Sequence, residues 1–290
     1  MALAEDRAYY TLRFVRPLED GGYEVADDDE GVELIRVSHF INEVLAKPPQ
    51  AMAYHGFRTG LKGVHDALID DPSLILDASN PEEIEAALKA RGSTPRDALR
   101  SAGDRGNTAH KVLELLAEGN VHDAGVMATK ETLEWGTHYS DAVVDWWKEQ
   151  VLYYQEKDQI EDIVSEKRVW SLDYRYCGTF DLGIKWKQGY WPDGTMRQSG
   201  WEILDLKTHK PAKGFTLEGK GPAYVSDAVQ CRAYRMAFEE MGLGKTIRQR
   251  VIVARENGRY LEDTRSVPEN VVAALRQLYD QRTEFERGTN

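Results

Sequence analysis

Gly178-Thr179-Phe180-Asp181 and Glu202-Ile203-Leu204-Asp205-Leu206-Lys207-Thr208 are the two runs on which the reading of this chain turns. Each reads as a short apolar strand that delivers a carboxylate at or near its end. The second adds a lysine two positions after the aspartate. Strand side chains alternate faces, so Asp205 and Lys207 point to the same side. Two carboxylates and an ammonium converging beside a sheet suit divalent-metal chemistry on a phosphodiester.

Outward from these runs, the chain reads as a strand series at 163–171, 175–187 and 200–208, with a Pro192-Asp193-Gly194 turn before the last. Helices are expected at about 107–118 and 137–155 ahead of the series and at about 223–241 after it, the last ending at Gly242. Segments 247–255 and 259–264 form a hairpin around Asn257-Gly258, and an amphipathic helix from Val271 to Phe285 closes the chain. Near the N-terminus, Tyr10–Val15 and Glu33–Val37 are strand-like, and Ser38 is placed to cap a helix carrying Phe40, Ile41, Val44 and Leu45. The acidic stretch 66–105, punctuated by Pro72, Pro81, Gly92 and Pro95, reads as an insertion or arm with a short helix at 81–91. The expected fold is α/β, a mixed central β-sheet flanked by helices. Its core spans 106–290, and 1–105 forms an N-terminal β-rich and helical elaboration.

The chain has 290 residues, 41% hydrophobic and 30% charged, ample for a sizeable core. No apolar run approaches the roughly 18 residues of a membrane span. The start Met1-Ala2-Leu3-Ala4-Glu5-Asp6 lacks the basic and apolar stretches of a signal peptide. Cys177 and Cys231 are the two cysteines, too few for a disulfide framework, a four-thiolate zinc site or an iron–sulfur cluster. A reduced cytoplasmic setting is expected, with no membrane partner. The net charge of -12 argues at first against nucleic acid, since phosphate binding needs positive potential. Its distribution softens that: residues 1–100 carry 19 acidic and 11 basic side chains, whereas 205–250 carry 5 acidic and 9 basic.

Taken in order, Gly106-Asn107-Thr108-Ala109-His110 at a helix, Gly178-Thr179-Phe180-Asp181, Asp205-Leu206-Lys207-Thr208, and Gln230 with Tyr234 on the next helix resemble the RecB-type nuclease domain of the PD-(D/E)XK nuclease superfamily. The resemblance covers roughly 104–255. Each motif alone is weak, but four in the right order on the expected elements form a specific signal. What the resemblance implies is a restriction-endonuclease-like core and a metal-dependent deoxyribonuclease. The implied activity is that of an exonuclease processing linear DNA ends in recombination, repair or phage replication. It further implies that His110, Asp181 and Asp205, with the Leu206 carbonyl, hold one or two Mg²⁺ or Mn²⁺ ions, and that Lys207 positions the attacking water. Gln230 and Tyr234 would border the substrate, with Arg232, Lys210 and Lys213 as phosphate contacts. Glu114, one turn after His110, and Glu166, ahead of the Asp181 strand, would be accessory. A homo-oligomer or a recombination or annealing partner protein fits the same resemblance.

Departures from the family narrow this. Two cysteines exclude its iron–sulfur version, and the length leaves no room for a helicase motor, so a stand-alone nuclease is expected. Gly242-Leu243-Gly244-Lys245-Thr246 echoes a phosphate-binding loop, but Glu239 stands where the first glycine is needed, and the segment runs from helix to strand. No ATP is therefore expected. The rival readings are a structure-specific endonuclease on the same fold, a non-catalytic DNA-binding module, and a hydrolase of small phosphate esters.

Overall fold

The computed structural model describes residues 3–5, 9–12, 15–17, 23–25, 32–45, 60–67, 69, 81–92, 94–209 and 223–288. They fall into two compact units, one built from 1–45 with 109–290 and the other from 46–108. In the second unit lies the helix α2, Pro81–Ala90. Helix α3, Pro95–Ala117, contains the junction between the units. Among the described residues no helix is long and apolar enough to cross a membrane.

The first unit is an α/β assembly around a mixed sheet. The strands are β1 (Leu3–Glu5), β2 (Tyr9–Leu12), β5 (Val32–Arg36), β6 (Ile160–Ser171), β7 (Tyr176–Trp186), β10 (Gly200–His209), β11 (Thr246–Arg255) and β12 (Tyr260–Asp263). Two short hairpins, β3 (Val15–Pro17) with β4 (Tyr23–Val25) and β8 (Gly189–Tyr190) with β9 (Met196–Arg197), stand apart from it. The main order is β1-β2-β5-β7-β10-β11-β12, with β6 also paired to β7. The β5–β7 and β10–β11 pairs are parallel, and the other ladders antiparallel. The N-terminal strands thus extend the main sheet rather than decorate it.

Period-two alternation divides the sheet between two cores. Strand β10 sends Trp201 and Ile203 to one face and Leu204 and Leu206 to the other; β11 does the same with Val251 and Val253 against Ile252 and Ala254. The first face is covered by α1 (Val37–Val44), α7 (Val225–Glu240) and α8 (Glu269–Gly288). The second is covered by α3, α4 (Val121–Trp135) and α5 (Tyr139–Trp147), followed by a π-turn at Lys148–Leu152 and the short α6 (Tyr153–Glu156). Burying one such leucine is worth about 1.5–3 kcal/mol, so a one-residue slip of register is heavily penalised.

Strand β7 is the exception. Tyr176 and Phe180 enter the first core, but Leu182, Ile184 and Trp186, also even-numbered, enter the second. Alternation therefore breaks between Phe180 and Leu182, at Asp181. Partner strand β6 breaks at the same level, with Val164 and Val169 both on the first core. There, Ser165 pairs with Leu182 and Lys167 with Phe180, while Glu166 between them takes a left-handed φ of 47°. Such a φ in a non-glycine residue is uncommon and costs on the order of 1–3 kcal/mol.

Three elements differ from the sequence reading. Helix α3 starts twelve residues early, because Thr94 and Asp97 form a reciprocal cap (Thr94 N to Asp97 Oδ2 3.1 Å, Asp97 N to Thr94 Oγ1 3.2 Å) around Pro95 in the first turn. Helix α4 was not expected. Its buried face is Ala124, Ala128 and the carboxylate of Glu131, which accepts the Tyr139 and Ser140 N–H groups at 2.8 Å each and so caps α5. Helix α1 begins at Val37, directly after β5, and Ser38 lies inside it rather than at its cap.

Candidate metal centre

The broken alternation opens a fork in the sheet. One edge of β7 pairs with β5 at Tyr176 and Cys177 and with β10 from Leu182 to Trp186. Between these stretches, Asp181 uses its own carboxylate as a substitute ladder partner, accepting the Leu206 N–H through Oδ2. Its other oxygen, Oδ1, lies 2.9 Å from Nδ1 of His110, which the third turn from the end of α3 carries inward. One strand over, Asp205 is paired with Lys207 at 2.7 Å (Oδ2 to Nζ), the same-side geometry that two-residue strand spacing requires.

Ligand-type atoms of His110, Glu166 and Asp181 all lie within 4.8 Å of one another. One imidazole and two carboxylates are a donor set that a divalent cation can use. Asp205, on the next strand, is not part of this group; it acts on Asp181 and His110 through its charge. The residues present therefore fit a divalent ion. Glu166 enters this group through its left-handed backbone, directly across from Asp181.

The electrostatics are those of a site built for extra positive charge. Burial pushes the Asp205 carboxyl up to about 7 against the pull of Lys207, and the neighbouring Asp181 adds to the rise. Burial and Asp181 likewise raise Glu166. Burial alone would raise Asp181 too, but the His110 charge and hydrogen bond, Lys207 and the Leu206 N–H together hold it below the ordinary carboxylate range. For His110, burial opposes the charged form, yet the Asp181 carboxylate outweighs it and the imidazole titrates above its usual value. Lys207 follows the same logic: desolvation is overcome by Asp205 and then Asp181, so it stays an ammonium.

On α7, Gln230 donates through Nε2 to the Tyr234 hydroxyl at 2.7 Å. Tyr234 is 4% exposed and lies over Gly178, where a Cβ would stand 2.5 Å from its Cε1. A glycine in Gly178-Thr179-Phe180-Asp181 is thus what lets α7 approach the strand. Burial and then Asp205 raise the Tyr234 phenol well above its normal range, so it serves as a neutral hydroxyl.

The remaining sequence-derived positions are distributed differently. Glu114 pairs with Lys111 at 2.7 Å on the turn after His110 and contributes to the negative field at Glu166. Arg232 points to Glu269 of α8 at 3.5 Å and does not join the Gln230–Tyr234 pair. Lys210 and Lys213 lie outside the described residues. Leu206 takes part through its N–H, with its side chain in the second core. The full membership of Glu166 was legible in principle: a hairpin turning at 172–175 sets 166 opposite 181.

No protein-family model matches the chain, and no curated protein sequence matches it.

Proposed function

We propose that this chain is a metal-dependent deoxyribonuclease of the RecB-like type, a phosphodiester hydrolase working from DNA ends with Mg²⁺ or Mn²⁺. The observation that carries the reading is the meeting, at the fork between β7 and β10, of Asp181, Asp205 and Lys207 with His110 and Glu166. Asp181 and Asp205 are both buried, and Asp205 has raised proton affinity; such carboxylates are costly in a fold without a function for them.

The residues divide the work. His110, Asp181 and Glu166 would hold the ion, which supplies charge neutralisation at the scissile phosphate and a more acidic water. Lys207, kept charged and oriented by Asp205, would position the attacking water and offset charge developing on phosphorus. The Tyr234 hydroxyl, its orientation set by Gln230, offers a neutral donor beside the carboxylates. Arg250 and Glu202 brace β10 from within, with Arg250 Nε 2.9 Å from Glu202 Oε1, so that Asp205 is presented from a rigid strand.

The test is a time course on end-labelled linear duplex in Mn²⁺. Lys207→Ala and Asp205→Ala should each abolish cleavage while retaining the folded circular-dichroism spectrum. Full cleavage by either variant sinks the proposal. Covalently closed circular DNA separates end-dependent action from the endonuclease rival, since an exonuclease leaves it intact.

A further inference from the structure

Strand β6 continues past Glu166 with Arg168 and Trp170 at two-residue spacing, about 6.6 Å between successive same-face positions. Val169 and Ser171 turn to the first core or its edge, so Arg168 and Trp170 face the other way. Across the ladder their register partners are Thr179 and Cys177, and Arg36 of β5 is in register with Cys177. These residues share one face of the sheet, the face on which His110 meets Asp181. Arg168 is exposed, Trp170, Thr179 and Arg36 are half-buried, and none of them belongs to either core. Burial pushes the Cys177 thiol up to about 12, and the guanidiniums of Arg36 and Arg168 moderate that rise, which places both cations over the same patch.

A cation and then an indole, lined up from a metal-ligand cluster along one face of the sheet, match the alternating needs of a nucleic-acid strand. Phosphate takes guanidinium, and an unpaired base takes an aromatic plane. Paired bases are already stacked in a duplex and gain little from the indole. We propose that this face is the track for a single-stranded DNA end, with Arg168 binding the phosphate next to the scissile one and Trp170 stacking on a base further along. The proposal rests on the nuclease reading of the metal centre and adds to it a substrate class, a strand end with unpaired nucleotides.

The experiment is steady-state cleavage by the full chain in Mn²⁺, with a fluorescent single-stranded oligonucleotide and a blunt duplex of the same sequence. Arg168→Ala and Trp170→Ala should each raise KM for the single strand about tenfold with kcat nearly unchanged, because they remove binding common to ground and transition states. Arg168→Ala should also lower the salt dependence of kcat/KM by about 0.7 in log–log slope, the loss of one single-strand phosphate contact. Trp170→Phe, which keeps a stacking plane and the packing, should recover most of the loss. KM values within twofold of the parent for both alanine variants overturn the track while leaving the nuclease reading intact. A parent protein that cleaves no DNA overturns the nuclease reading and the track together.

Discussion

Replacing Gly178 by alanine tests the geometry of the fork most sharply, because two opposing effects of known size meet there. Its φ is not in the left-handed region, so alanine is allowed by the backbone. An alanine that fits normally stabilises by about 0.4–1 kcal/mol through the unfolded chain. Here the new methyl would lie 2.5 Å from Tyr234 Cε1 and 3.3 Å from both Cζ and Oη, against the roughly 3.5–4.0 Å of an ordinary carbon contact. The ring must move by about 1 Å, yet it is almost wholly buried and tied to Gln230. Overpacking of this kind costs about 1–3 kcal/mol. The sum is a net loss of about 1–2 kcal/mol, or about 2–8 °C in melting temperature for a chain of this size. Urea unfolding of the parent, Gly178→Ala, Tyr234→Ala and the double variant forms the assay. In the Tyr234→Ala background the glycine replacement should become neutral or stabilising, a coupling of at least about 1 kcal/mol. Equal or greater stability of Gly178→Ala in the parent background would refute the close approach of α7 to β7, and with it the placement of Tyr234 beside the carboxylates.

Other outcomes follow from the same structure. Metal-free stability should fall as pH rises from about 4 to 7, the span between the ordinary Asp205 value of 3.8 and its raised value of about 7. Asp205 keeps its proton over that span in the folded chain while the unfolded chain has already lost it, and His110, raised above its ordinary 6.5, adds a further loss as it gives up the proton that binds it to Asp181. On the acid side, the Asp181 contribution should persist below its ordinary 3.8 and vanish only as pH drops through its lowered value. Adding Mn²⁺ should reverse the upper trend, because binding displaces those protons, so calorimetric affinity should tighten and proton release diminish as pH rises through about 7. His110→Ala should weaken Mn²⁺ binding at least tenfold, and unchanged affinity would remove it from the ligand set. Glu202→Gln should cost about 3–5 kcal/mol in urea unfolding. The wholly buried carboxylate meets Arg250 at 2.9 and 3.1 Å, Arg248 at 3.3 Å and Trp186 Nε1 at 3.0 Å; a change under about 1 kcal/mol would show the network to be dispensable.

Much of the architecture was readable because strands β10 and β11 alternate cleanly between two cores, and their apolar runs carry that period openly. That Asp205 and Lys207 share a side followed from spacing alone; their ion pair is a finding of the structure. Helix α4 was hidden because it buries alanines and a capping glutamate, leaving Val121, Val126 and Leu133 exposed, the reverse of an amphipathic signal. The phase break at Asp181 was equally hidden. It depends on a left-handed Glu166 on a neighbouring strand, and no local pattern around Phe180 and Leu182 announces it. The orientation of Arg232 toward Glu269 depends on where α8 docks, a long-range outcome that residue spacing on α7 cannot carry.

We propose one metal-dependent hydrolytic site made of the carboxylates at the fork and Lys207. Its most direct measurement is Mn²⁺-dependent release of 5′-phosphorylated nucleotides from end-labelled DNA, by the parent and by Lys207→Ala under matched metal occupancy. The parent should release nucleotides steadily, with none released in chelator and a loss of at least about a thousandfold in the variant with Mn²⁺ still bound. Release that continues in chelator, or that survives the loss of Lys207, would contradict it.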